Sequence, residues 1–154
     1  LLRRQRQMCI RDRPGVGQVV YDAFIAGRTA IVNKDYAERD AQADIIQVEL
    51  SKVIGYYAVH YMNDYVAKLS EGNIGGAHHS LSEAWGFLFS LKYTNDGMDE
   101  PFMEGDTVDY FLANYMGDFH SMDPGVLTAP ATAPYPGMIA IVEQAFASKG
   151  HPLN

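Results

Sequence analysis
The sequence predicts an all-α fold, a helical bundle built on a long helix hairpin. Three observations lead there. Apolar residues recur at spacings of three and four over most of the chain. No alternating apolar–polar stretch of useful length appears. Gly and Pro gather between segments of helical length. The composition is ordinary for a globular chain, with 154 residues, 47% apolar and 20% charged. One domain fits that length. Collagen-like, disordered and disulfide-stapled classes are excluded. No run reaches the eighteen or more apolar residues that a membrane-spanning helix needs.

The elements follow in order. Val20, Phe24, Ala30 and Ile31 set a first helical pattern over residues 17–32, ended by Asn33. Asp35 stands where a second helix needs its N-cap. No Gly or Pro follows until Gly55, and the pattern continues to Leu69. That predicts one helix of about 35 residues, roughly 50 Å long. Ile46, Leu50, Val53, Tyr57 and Tyr61 form its core-facing stripe. Glu71-Gly72-Asn73 stops it. A third helix is expected over 76–93. Its residues 84–91 are apolar on every side, which predicts burial all round. Thr94-Asn95-Asp96-Gly97 reads as a turn and 98–104 as loop. A fourth helix is expected over 106–116. Pro124, Pro130 and Pro134 mark an irregular connection over 117–134. Pro136-Gly137 then opens a last helix that ends near Ser148.

Charge is distributed unevenly. Five of the twelve basic side chains lie within the first thirteen residues. A basic arm suits nucleic acid or an acidic membrane. It is not a signal peptide, since no apolar core follows the arginines. The run Met8-Cys9-Ile10-Arg11-Asp12-Arg13 instead resembles the translation of a transposon-end sequencing adapter. Residues 1–13 are therefore expected to be adapter-derived and dispensable. The domain is expected to occupy 14–154, with the native start and any targeting signal missing. The other 141 residues hold 7 of the 12 basic and 18 of the 19 acidic side chains, a net charge of −11, and no cysteine. That balance argues against nucleic acid and anionic lipid as partners. It also leaves no thiol nucleophile.

The strongest candidate for chemistry is His78-His79-Ser80-Leu81-Ser82-Glu83. His79 and Glu83 are four apart and share a helix face. The same strip continues through Gly86 and Ser90, small residues that would let a neighbouring backbone approach. Both side chains are expected to be buried against the long helix. Imidazole beside carboxylate suits a divalent or ferric ion, or proton transfer. It equally suits a packing hydrogen bond. Glu49 and His60, eleven apart, lie near one azimuth of the long helix, and Asp64 is one turn beyond His60. An antiparallel hairpin would set His60 opposite the pair. The candidate metal ligands are thus His79, Glu83, His60 and Glu49.

Other clusters carry less. Asp96, Asp99, Glu100, Glu104 and Asp106 lack calcium-loop spacing and read as a solvated loop. His120 and Asp123 lie in the irregular region and could reach a site, although nothing in their spacing demands it. No His-Glu-x-x-His helix, phosphate loop or nucleophile elbow is present.

Three stretches carry a resemblance. They are Tyr21-Asp22-Ala23-Phe24-Ile25-Ala26-Gly27-Arg28-Thr29-Ala30-Ile31 with Asn33-Lys34-Asp35, then Ala58-Val59-His60-Tyr61-Met62-Asn63, then His79-Ser80-Leu81-Ser82-Glu83-Ala84-Trp85-Gly86-Phe87. Together they resemble a bacterial family of domains of unknown function that is similar to the imelysin-like proteins. The resemblance spans most of 18–148. It implies the C-terminal part of a longer all-helical protein related to paired four-helix bundles. It also implies export, as a periplasmic protein or outer-membrane lipoprotein, and a link to iron or other metal uptake. Imelysin itself was described as a peptidase, and that wider family carries a His-x-x-Glu metal motif. Here the spacing is His79-x-x-x-Glu83, with Ser82 at the intervening place. The expectation is an exported binding domain for a metal ion or small metal-bearing ligand. A metal-dependent hydrolase and a structural domain of a surface lipoprotein are the alternatives.

Overall fold
The computed structural model describes residues 15–153. The expectation for residues 1–13 lies outside them. The described residues form six α-helices and no strand, as predicted. They are α1 (Val16–Val32), α2 (Tyr36–Ser70), α3 (Ile74–Ser90), α4 (Gly105–Tyr115), the single turn α5 (Gly125–Thr128) and α6 (Met138–Ser148). A 3₁₀ turn, Leu91–Tyr93, prolongs α3. No helix is long and apolar enough to cross a membrane, among the described residues.

Capping sets the hairpin. The Asp35 carboxylate accepts the Glu38 N–H at 3.1 Å and starts the 35-residue α2. Asn73 accepts the Gly76 N–H at 3.0 Å, so α3 begins two residues before the expected Gly76. Gly72 turns the chain between them at φ +75°, a conformation that favours glycine.

The core lies along the C-terminal half of α2. Ala58, Met62 and Tyr65 pack there with Ala77, Leu81, Ala84 and Leu88 of α3. α6 crosses the middle of α2 at Gly55. A Cβ at that glycine would stand 2.6 Å from the Phe146 ring, so only glycine admits it. Phe146 is fully buried and stacks on Phe102 at 4.0 Å between ring centres. α1 packs along α2, where Val16 joins Val53 and Tyr57 in a small second core, and it buries only Val16, Ala23 and Ala30. No residue of α2 before Val48 is buried. Residues 16–47 thus form a two-helix arm attached to a multi-helix body.

Candidate functional site
His79 and Glu83 do not occupy the place expected of them. His79 is exposed and Glu83 half-buried. The buried residues of α3 are Ala77, Ser80, Leu81, Ala84 and Leu88, and the strip through His79, Glu83, Gly86 and Ser90 lies on the opposite side. A Cβ at Gly86 would meet nothing within 4 Å, so no neighbouring backbone approaches there. The expected all-round burial of 84–91 also fails, since Trp85 and Gly86 are exposed. The aromatic residues there hid the ordinary solvent face of an amphipathic helix.

The long-helix candidates are dispersed too. Glu49 is engaged by Lys52. His60 is exposed, and its ring stacks on Tyr56 at 6.1 Å. Among the described residues, no three His, Cys, Asp or Glu side chains are disposed to hold one metal ion.

Ser80 is what the motif actually directs into the core. Its hydroxyl donates to Asp64 Oδ2 at 2.6 Å and accepts from Lys68 Nζ at 2.9 Å. Lys68 also donates to Asp64 Oδ2 at 2.6 Å. The Lys68 ammonium, and then the Ser80 hydroxyl, hold the Asp64 carboxyl below its ordinary range. Ser80 is fully buried, so its hydroxyl is closed to any substrate. The triad is a polar staple between α2 and α3.

Two further places remain. On one, the rings of His78 and His120 meet edge to face with centres 4.8 Å apart. Asp118 lies within electrostatic reach of both. Its carboxyl is held below the usual range, first by the His120 backbone N–H and then by the Ser121 hydroxyl. The spacing of His120 demands no site, and its ring partner is His78 and not His79.

The other is a cavity of about 420 Å³ between α4, α5, α6 and the proline-rich connection. Its wall includes Thr107, Tyr110, Phe111, Tyr115, Asp123 and Tyr135. Tyr110 and Phe111 each lie against Tyr115, with ring centres 6.2 and 5.3 Å apart. The connection is pinned by Gly137, whose N–H donates to the Ala129 carbonyl at 2.8 Å. A Cβ on Gly137 would lie 2.4 Å from the Leu127 carbonyl oxygen. Asp123 accepts the Gly125 N–H at 2.8 Å through Oδ1. No described cation forms an ion pair with it. Nearby Tyr65 is buried, and burial followed by the Asp123 charge pushes its phenol pKa up. Sequence reasoning noted Asp123 but missed the aromatic wall. The tyrosines sit on exposed helix and loop positions that only the tertiary fold gathers.

No curated protein and no solved structure matches the chain. Residues 5–123 match a family described as a domain of unknown function, DUF4856. The match covers most of the sequence, and the chain belongs to that family.

Proposed function
We propose that this is a non-catalytic binding domain and that the cavity between α4 and α6 seats its ligand. The observation that carries the reading is the cavity itself, of about 420 Å³, aromatic-walled, with one uncompensated carboxylate. Small-ligand sites have this size and this mixture of apolar wall and few polar groups. A small-molecule library scored by thermal shift tests it, because ligands that bind the folded state raise Tm. The Thr107→Trp change fills the mouth and should erase the responses of the wild type. Responses that survive the filling would place the ligand elsewhere.

A second reading has its own observation. Two imidazoles on one zinc-like ion, at about 2.1 Å per Zn–N bond, bring their ring centres to about 5 Å, close to the His78–His120 separation of 4.8 Å. The two imidazoles would hold the ion, while the Asp118 oxygens accept from the His120 backbone N–H and the Ser121 hydroxyl beside them. Under this reading Zn²⁺ binding, measured by calorimetry, is lost in His120→Ala and kept in His79→Ala. The reverse pattern would return the site to His79 and Glu83. Imidazole must be neutral to ligate, so acid should weaken the affinity.

The resemblance to imelysin-like proteins supports an exported location, periplasmic or lipoprotein. Fractionation of cells carrying the complete gene should recover the protein outside the cytoplasm. Recovery in the cytoplasm would remove that support.

A further inference from the structure
We infer that the cavity takes a cationic organic ligand, a protonated amine or a quaternary ammonium. The inference rests on the cavity being the ligand seat.

The wall supplies the recognition chemistry. Aromatic faces carry negative quadrupole charge and attract ammonium groups. Tyr110, Phe111, Tyr115 and Tyr135 bring four such rings to one cavity. Asp123 adds a full negative charge at the same place. Its Oδ1 accepts the Gly125 N–H at 2.8 Å, which helps to fix the carboxylate. No described lysine or arginine neutralises it. An anionic ligand would be repelled by that charge, which Asp123 carries at an exposed position. A neutral apolar ligand would desolvate the carboxylate with nothing in return. A cation gains from both the rings and the carboxylate. The chain's net charge of −7 works in the same direction by raising local cation concentration.

The composition of the wall also separates this site from a metal centre. A single carboxylate among tyrosine rings offers too few oxygen ligands for a bare divalent ion. An organic cation, weakly hydrated and large, fits a cavity of about 420 Å³.

Choline and its neutral carbon isostere 3,3-dimethylbutan-1-ol provide the test, titrated into the full chain and followed by NMR at the cavity residues. Choline should bind at least tenfold more tightly than the alcohol. Asp123→Asn keeps the Oδ1 acceptor for Gly125 and should abolish that preference. Tyr135→Ala should weaken choline severalfold without unfolding the domain, since Tyr135 is 88% exposed. Added salt should weaken choline and leave the alcohol unchanged. Equal binding of the two probes, insensitive to Asp123→Asn, overturns the cationic class and leaves the cavity as a ligand seat. Absence of any response at Tyr110, Tyr115 and Tyr135 to choline also overturns it. The wider reading then stands or falls on whether Thr107→Trp erases the library responses.

Discussion
The arm and the body are built from the same kind of helix yet packed very differently. α3 carries five buried residues in 17 and packs against both α2 and α4. α1 is also 17 residues long, buries three residues and packs chiefly on α2. Its sequence is nearly as apolar as that of α3, which carries Glu83 as its one acidic or basic charge besides two histidines. In α1 only Asp22 and Arg28 are charged, and Tyr21, Phe24, Ile25, Ile31 and Val32 are exposed. Apolar content therefore did not decide burial. Layer number did. A helix in the body finds neighbours on two sides, whereas one in the arm finds a single neighbour.

Substitutions can break or sharpen this contrast. Phe146→Ala should have the largest effect, a loss of about 3–5 kcal/mol, because it empties a fully buried site stacked on Phe102. Denaturant unfolding measures it, and a loss under 1 kcal/mol would mean that α6 is not part of the body. Gly55→Ala should cost about 1–3 kcal/mol, since the new methyl meets the Phe146 ring at 2.6 Å. If it is neutral, the helix crossing has room to spare.

Ser80→Ala should cost about 1–2 kcal/mol, by leaving Asp64 and Lys68 without their buried hydroxyl partner. Its pH dependence has a definite sign. The Asp64 carboxyl titrates lower in the folded state, so its contribution is full above the ordinary value near 4 and fades as pH falls through the lowered one. The gap between wild type and Ser80→Ala should therefore narrow in acid. A gap that widens instead would assign Ser80 to another partner. Phe24→Ser, on the arm, should change stability by less than about 0.5 kcal/mol, because Phe24 is 60% exposed. Amide exchange in α1 should correspondingly outpace that in α3. A loss on the scale of Phe146→Ala would show that the arm is buried in solution.

Most of the fold was legible because it rests on local signals. The 35-residue α2 follows from an uninterrupted apolar period, and Asp35 starts it as an N-cap should. The last helix opens at Met138, directly after Pro136-Gly137. The errors also have local causes. The α3 start was placed at Gly76 because Asn73 was read as part of a stop and not as a cap. Ser80 stands in the candidate motif, but nothing local distinguishes it from the histidines beside it. Its partners are Asp64 and Lys68, sixteen and twelve residues away on another helix. The cavity was illegible for a related reason. Tyr110, Asp123 and Tyr135 come from α4, a loop and the proline-rich connection, and no periodicity links them.

The crossing of α6 over Gly55 has a consequence for how the chain is made. Residue 55 leaves the ribosome long before residue 146, so α2 and α3 emerge without the ring that seals their middle. At ordinary synthesis rates of 5–20 residues per second, that gap lasts roughly 5–18 s. The family match ends at residue 123, short of α6. A chain stopped there would lack Met138, Val142, Phe146 and Leu153, all members of the main core. The stretch that defines the family and the stretch that must fold together are therefore different lengths, and the longer one sets the point at which the nascent domain becomes safe from aggregation.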